Sequence, residues 1–399
     1  MKIVLINSMC GTGSTGRIIS DLYSILKDGG NEVKIISGLG KIYGVDKKDV
    51  LFVGGKLNYF IDNVMSKLTD LTGSFSKRAT KRVISFLKDF RPDIIHLHNL
   101  HGYWINFYDL FNYLATLDIP IVWTLHDCWP FTGHCSHFDY VGCQKWKTVC
   151  HKCPLKKEYP SSFFFDRSKS NYLKKKKAIC NIKNLTIVTP SNWLAGLAKQ
   201  SYLGNRQVFV IHNGINLDIF NRHNALQFDD YKKAGKKIIL TVAGNWNSKK
   251  GLYDFYSLQK MSPQEYVFVI VGLTNKQRKK KPDKIVCIPK TNSAEELATI
   301  YSSSDVFINL TYEDTYPTVN LEAQACGLPV ITYRTGGSPE SIIDNCGFSV
   351  SKGDYESIPQ FFEKAFSIDK EIIEREAIVF SNKNTYKKYL DLYKTILDH

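Results

Sequence analysis

Hydrophobic residues in this chain come in short runs, each followed by a longer stretch of helical periodicity. The first set of runs is KIVLIN (2–7), EVKIIS (32–37), DIIHLH (93–98), PIVWTL (120–125) and LTIVTP (185–190). Runs of this length, rich in β-branched residues and bounded by Gly, Pro or Asn, read as buried strands. VFVIHNGIN (208–216) ends in a turn, and KIILTVAGN (237–245) opens a second set. That set continues through YVFVIVG (266–272), KIVCIP (284–289), DVFINL (305–310) and PVITY (329–333). Strands alternating with helices predict a parallel α/β architecture. Two sets predict two doubly wound, Rossmann-like domains, joined within 213–235 where polar residues replace apolar periodicity. The last stretch, NTYKKYLDLYKTILDH (384–399), carries an apolar stripe through Tyr389, Leu392, Tyr393 and Ile396 and predicts a helix. The lysine runs at 174–177 and 279–281 are short and read as solvated faces. No internal repeat or low-complexity segment interrupts the pattern.

Bulk properties narrow this picture. A length of 399 residues suits two domains, and 43% hydrophobic content supports sizeable cores. The formal net charge of +15 implies an anionic partner: nucleic acid, acidic lipid headgroups or a phosphorylated substrate. No apolar run approaches the ~18 residues that span a bilayer. The opening MKIVLINSMCGTG turns glycine-rich too soon for a signal peptide and reads as a first strand. The expected location is the cytoplasm, including the inner face of the membrane. Ten cysteines there are expected as thiols or metal ligands.

The segment EDTYPTVNLEAQACGLPV (313–330) concentrates candidate chemistry. Tyr316-Pro317-Thr318 cannot lie inside a helix, and Gly327 with Pro329 ends one, so a helix starts near Thr318 or Val319. Free N–H groups at that start attract an anion. The flanking carboxylates of Glu313, Asp314 and Glu322 need polar neutral partners such as sugar hydroxyls. A phosphate held beside hydroxyls describes a sugar nucleotide. At the second-domain opening, Gly244-Asn245-Trp246-Asn247-Ser248-Lys249-Lys250-Gly251 sets a lysine before a glycine at a strand-to-helix junction. Such an ammonium can neutralise a diphosphate, against the plainer reading of a solvated Lys-Lys pair. Gly11-Thr12-Gly13-Ser14-Thr15-Gly16 matches GxGxxG, but the second strand lacks the ribose-binding acid of dinucleotide sites. Gly13 and Gly16 are better read as letting backbone approach a phosphate or sugar, or as a plain tight turn.

Cys135, Cys143, Cys150 and Cys153 form a separate group, with Cys128, His134, His137 and His151 close by. The tight Cys150–Cys153 pair suits a structural zinc. Buried thiols, or a disulfide or redox role, are the alternatives. No Asp-x-Asp motif is present, so no divalent metal is expected on a diphosphate.

These pieces together resemble the retaining glycosyltransferases of family 4, whose fold is GT-B: two Rossmann-like, doubly wound parallel-sheet α/β domains facing a central cleft. The resemblance rests on the first glycine loop, His126-Asp127, VIHNGIN, Lys250-Gly251, the acid loop with Glu322, and Gly336-Gly337-Ser338-Pro339-Glu340. TLHDCWPFTGHC…GCQKWKTVCHKCP has a close counterpart in bacterial capsule, exopolysaccharide, O-antigen and colanic acid transferases. The resemblance implies an acceptor-side domain at 1–215 with a Cys-rich insert at 128–153. It also implies a donor-side domain at 216–380, and a helix at 381–399 packing back on the first domain. It places His126 at the donor sugar and Glu322 on the ribose hydroxyls. Asp314 stands at the family's other acid position, beside Glu313. The amides around Pro317, Thr318 and Val319 face the diphosphate, and Ile288 lies near the base. Asn245 stands where the family often has arginine, which shifts load to Lys250 and Lys249. His96, His98 and Asn99 are expected at the acceptor. The implied reaction moves a hexose with retention, from a UDP-sugar in preference to a GDP-sugar. The leaving diphosphate oxygen takes the proton of the incoming hydroxyl. The implied acceptor is an undecaprenyl-diphosphate-linked saccharide at an anionic membrane. A sugar-nucleotide epimerase or phosphorylase on the same fold is an alternative. So is a non-catalytic basic module for lipid or nucleic acid, although the acids at 313–322 disfavour a nucleic-acid groove there.

Overall fold

The computed structural model describes residues 1–223 and 227–398. It divides the chain into two compact units. One comprises Met1–His212 and the residues from Tyr386 onward; the other is Asn213–Thr385. The chain therefore crosses between units twice. Within the second unit the two crossing segments pair, because Ile215 N–H donates to Phe380 O and Asn382 N–H to Ile215 O.

The first unit is built on seven parallel strands: β1 (Lys2–Met9), β2 (Glu32–Leu39), β3 (Val50–Phe52), β4 (Ile94–Leu97), β5 (Ile121–Thr124), β6 (Leu185–Thr189) and β7 (Val208–Val210). Their order is β3-β2-β1-β4-β5-β6-β7. Side chains alternate across each strand, so β1 feeds two cores. Val4 and Ile6 join Trp123, Phe107 and Phe111 on one face. Ile3 and Leu5 join Leu22, Tyr389 and Tyr393 on the other. The terminal helix Asn382–Leu397 supplies those tyrosines, so the stripe predicted for it packs on the first unit.

The second unit has six parallel strands: β8 (Lys237–Val242), β9 (Tyr266–Val271), β10 (Ile285–Ile288), β11 (Val306–Asn309), β12 (Val330–Tyr333) and β13 (Gly347–Val350). Their order is β10-β9-β8-β11-β12-β13. Alternation again splits the core: Ile238, Leu240 and Phe307 lie on one face, Ile239, Phe268 and Ile308 on the other. In both sheets the order reverses beside the first strand, at β1/β4 and at β8/β11. Ligands of such sheets collect at the carboxyl ends of strands near that reversal.

Two strands escape the sequence pattern. β3 is three half-buried residues at a sheet edge, and β13 begins on a glycine at the other edge. The lysine run at 174–177 also needs correction. Lys175 is buried, with its ammonium 3.9 Å over the Trp129 ring and donating to Trp129 O at 2.6 Å, while Lys174, Lys176 and Lys177 are exposed.

Candidate active site

In the second unit, the carboxyl ends of β8, β11 and β12 bring the predicted donor residues together. After β8, the chain turns through Ser248–Lys250, with the Asn247 side chain accepting from Lys249 N–H. Tyr312 N–H donates to Lys249 O at 2.7 Å, so main chain fastens this turn to the loop after β11. Gly251 has φ +66°, and a Cβ there would sit 2.1 Å from Leu310 O. Only glycine allows that approach. After β12, Gly336 (φ +55°) passes so close to Asp314 O that a Cβ would lie 1.9 Å from it. Gly337 N–H donates to the same oxygen at 2.9 Å.

These backbone contacts fix two charges. Lys250 Nζ lies 2.7 Å from Asp314 Oδ2, with the side chains 31% and 22% exposed. The helix after this loop runs Thr318–Ala325, starting where the Pro317 argument places it. Thr318 and Val319 are half-buried at its open end, and Pro317 is buried. Glu322 is buried inside that helix, and Tyr301 O–H donates to its Oε2 at 3.3 Å. Glu313 is buried next to the half-buried Asp314. Ile288 ends β10 half-buried, Lys249 is half-buried, and Asn245 is exposed after β8. A cation, a helix start and buried carboxylates thus share one end of one sheet. That arrangement suits a ligand with a diphosphate and hydroxyls.

The first unit holds a second cluster, after β4 and β5. His98 Nδ1 lies 2.9 Å from His126 Nε2, and the rings stack at 5.2 Å. His126 is half-buried, and His98 Nε2 is buried with no hydrogen-bond partner. Burial pushes the His126 imidazole down to about 4, although the Asp127 charge pulls the other way. Burial, with the neighbouring imidazoles, also holds His98 well below the usual range. This pair is therefore neutral at pH 7, with one ring donating to the other. His96 is different. It is fully buried, Nε2 meets Thr124 Oγ1 at 2.8 Å, and Tyr393 O–H meets Nδ1 at 2.6 Å. Both nitrogens are engaged by the protein, which leaves none for an acceptor. Asn99 is half-buried and is held by backbone: its N–H donates to Asn7 Oδ1 and its carbonyl accepts from Ser8 N–H. Gly13 opens the Gly13–Asp28 helix exposed, and Gly16 is buried one turn in.

Residues the motifs did not single out stand beside this cluster. His101 Nε2 donates to Asp127 Oδ2 at 2.6 Å, and His101 Nδ1 lies 2.9 Å from the Tyr159 hydroxyl. Burial alone would raise the Asp127 carboxyl; His101 and the Trp129 N–H outweigh it and hold the group down to about 2. Tyr103, with φ +65°, stacks edge-on to both Tyr59 and Tyr159. The available signal was position: His101 follows β4, where strand ends gather ligands.

The four cysteines converge on one small pocket, lined also by His134 and His151. Cys135 and Cys153 are hydrogen-bonded, which lowers the Cys153 thiol below its ordinary range, and Gly133 N–H donates to Cys150 Sγ at 3.2 Å. Among the described residues, however, no three His, Cys, Asp or Glu side chains are grouped as a metal ion requires. The sulfurs as placed do not form a tetrahedral set.

Comparison with known proteins agrees in both units. The description Glycosyltransferase Family 4 matches residues 26–219, and Glycosyl transferases group 1 matches 224–379. The putative colanic acid biosynthesis glycosyl transferase WcaC of Escherichia coli (strain K12) is 24% identical over 344 residues. That alignment spans 82% of this chain and 81% of its own. The capsular polysaccharide biosynthesis glycosyltransferase CapM of Staphylococcus aureus is 23% identical over 207 residues, 47% of this chain and 54% of its own. Among solved structures, sucrose-phosphate synthase from Thermosynechococcus elongatus superposes with a TM-score of 0.71 at 16% identity, over 100% of this chain and 99% of its own. Anabaena HepE in complex with UDP and glucose gives 0.66 at 13%, over 99% and 100%. With two parallel-sheet units of seven and six strands, each matched by its own half of the family, the chain belongs to the family 4 glycosyltransferases of GT-B fold, and it is a transferase.

Proposed function

We propose that the chain transfers a hexose, with retention, from a UDP-sugar to a hydroxyl of a lipid-linked saccharide during assembly of a bacterial surface polysaccharide. The observation that carries this reading is the Lys250–Asp314 pair at the strand ends that also present the Thr318–Ala325 helix start and Glu322. The amides of Thr318 and Val319 and the Lys250 ammonium meet the diphosphate. Glu322 takes the ribose hydroxyls, and Ile288 lies against the base. Asp314 orients the ammonium and, with Glu313, reads the sugar. Lys249 and Asn245 complete the donor loop. In the first unit, neutral His126 meets the donor sugar, with Gly13 and Gly16 giving backbone access. His98, Asn99 and the His101–Asp127 dyad serve the acceptor. WcaC and CapM, named for colanic acid and capsular polysaccharide, support the polysaccharide assignment; the UDP and glucose held by HepE support the donor. The lipid-linked acceptor, an undecaprenyl diphosphate saccharide, would be met at the inner membrane face.

No metal is assigned a step in transfer. A structural zinc on Cys135, Cys143, Cys150 and Cys153 belongs to the same proposal, supported by four sulfurs on one pocket, and requires their side chains to close further. Zinc below about a tenth of an equivalent in protein purified without added metal ends that part. The central test is thermal protection by a panel of UDP- and GDP-sugars, followed by product analysis. UDP-sugars are expected to raise the melting temperature, and Glu322→Ala to abolish the rise in a folded protein. No shift with any sugar nucleotide sinks the donor assignment. An isomerised donor or a sugar phosphate as product sinks the transfer.

A further inference from the structure

The helix Lys56–Thr69 is inside out. Its apolar residues Leu57, Phe60, Ile61, Val64, Met65 and Leu68 fall at the spacing of a single helical stripe. In a globular domain that stripe faces the core. Here it faces solvent: Leu57 is 70% exposed and Phe60 64%. The residues turned inward are Asp62 and Ser66. They are satisfied by hydrogen bonds, Ser66 Oγ donating to Asp62 Oδ1 and Ser76 Oγ to Asp62 Oδ2. The helix ends on Asp70, whose carboxylate accepts from His134 Nδ1 at 2.7 Å. Polar groups thus fasten the helix, and its apolar face is left outward.

A second element extends the same face. Phe163, Phe164 and Phe165 are all exposed, Phe164 at 68%. Three adjacent phenylalanines would ordinarily pack as a buried aromatic cluster, and these do not. The loop is held open by its backbone. Phe163 N–H donates to Lys67 O at 2.9 Å, Ser162 Oγ to Phe165 O at 2.8 Å, and Arg167 N–H to Asp70 Oδ2 at 2.5 Å. Each phenylalanine also has a cation against it. Lys67 lies over the Phe163 ring, Lys156 Nζ donates to Phe164 O, and Arg167 lies over the Phe165 ring. Helix and loop therefore form one apolar face studded with positive charge.

We propose that this face docks on an anionic lipid bilayer, with the stripe and the three phenylalanines entering the headgroup–acyl boundary and Lys67, Lys156 and Arg167 meeting lipid phosphates. The inference deepens the acceptor half of the reading above and rests on it for its purpose: a bilayer is where a lipid-linked saccharide lies. Charge selects the bilayer over a second copy of this chain. The net charge is +15, and a copy would bring the same cations to the face. Apolar area with a basic rim is also the composition of interfacial helices. The patch leads toward the acceptor cluster, because Tyr59 on the same helix packs on Tyr103, which packs on Tyr159, which touches His101.

The test is flotation of the full chain with phosphatidylglycerol-containing vesicles and with phosphatidylcholine vesicles. Three proteins are compared: wild type, Leu57→Ser/Phe60→Ser/Val64→Ser, and Phe163→Ser/Phe164→Ser. Wild type is expected on the anionic vesicles, with loss at high salt. Each variant is expected to bind about tenfold more weakly or worse, since even one large apolar side chain carries that factor. Melting temperature and protection by sugar nucleotides are expected to stay at wild-type values, because the altered residues are exposed. Absence of wild-type binding to anionic vesicles overturns the inference, as does unchanged binding by both variants. A wild-type dimer that the helix variant dissociates, without vesicle binding, assigns the face to a second copy and also overturns it. Vesicle binding without any sugar-nucleotide protection supports the docking face and speaks against the donor site instead.

Discussion

Lys250 and Asp314 offer the sharpest test, because they are close enough to act as one unit. Their 2.7 Å contact is charge-assisted, but both side chains keep some access to water. A pair in that setting contributes about 1 kcal/mol or less to stability, so the melting temperature should move by a few degrees at most. Catalysis is another matter. A preorganised donor facing charge that develops on the leaving diphosphate is worth roughly 2.7–4 kcal/mol, a factor of about 100 to 1,000. Lys250→Met should lose that factor mainly in kcat, since the charge to be met is largest in the transition state.

Asp314→Asn keeps the shape but removes the charge that holds the ammonium. If Asp314 acts in part through Lys250, the double variant loses less than the product of the two single losses, and any loss beyond Lys250→Met reports the contact of Asp314 with the sugar. Initial rates of UDP release with a UDP-sugar that protects the wild-type protein measure all four species, with melting curves run beside them. Multiplicative losses in the double variant would show two independent roles and refute the coupling. A near-normal rate for Lys250→Met in a folded protein would refute the role of the ammonium itself.

Three further outcomes are expected. Acid should destabilise the protein below pH 6.5, because burial depresses His126 to about 4 and also lowers His98 and His96. A group with a depressed folded pKa gives stability that is full above its unfolded value and lost as pH falls toward the folded one. For His126 that is roughly 2–3 kcal/mol between pH 6.5 and 4, and His126→Gln should flatten the melting-temperature profile there; an unchanged profile refutes it. Lys175 is also depressed by burial, to about 7, so its ionisation penalises the fold at neutral pH and is relieved toward pH 10. Lys175→Met should raise the melting temperature at pH 7 and remove that alkaline gain; destabilisation at both pH values would show that the Trp129 contacts outweigh burial. Chelation by EDTA should leave the transfer rate intact, and loss of rate in a protein that stays folded would reveal a metal in the reaction.

The two units were legible to a similar extent, each losing one edge strand, and the reason is physical. Strands β1, β2, β4, β5, β6, β8, β9, β11 and β12 announce themselves because a strand buried on both faces is apolar throughout. Edge strands β3 and β13 are short and half-buried, so they leave little pattern. The Thr318–Ala325 helix start was legible because proline sterics are local. His101 was not, because its chemistry comes from Asp127 and Tyr159, 26 and 58 residues away in sequence. Lys175 was misread since a run of lysines carries no mark of which one turns inward. The stripe of Lys56–Thr69 can be read from spacing alone. Its outward direction cannot, because direction depends on Ser76 and on what the remaining fold offers Asp62 and Ser66.

The same distinction explains why the ion pair should be readable by mutation. Main chain positions Lys250 and Asp314, and Tyr316 N–H also donates to Asp314 Oδ1 at 3.3 Å. Tyr312 N–H on Lys249 O, Gly251 against Leu310 O, and Gly337 N–H on Asp314 O fix the backbone on both sides of them. Removing either charged head leaves those contacts intact, so a lost rate would report charge. The glycines are the opposite case. A Cβ at 251 or 336 would meet a carbonyl oxygen at 2.1 or 1.9 Å, and both residues have positive φ, so alanine there must move the loop that carries Asp314 or the turn that carries Lys250. Gly251→Ala and Gly336→Ala would therefore mix displacement with loss of charge. In this site the information about position is written in glycines and the information about charge in Lys250 and Asp314, which is why only the second pair isolates the chemistry.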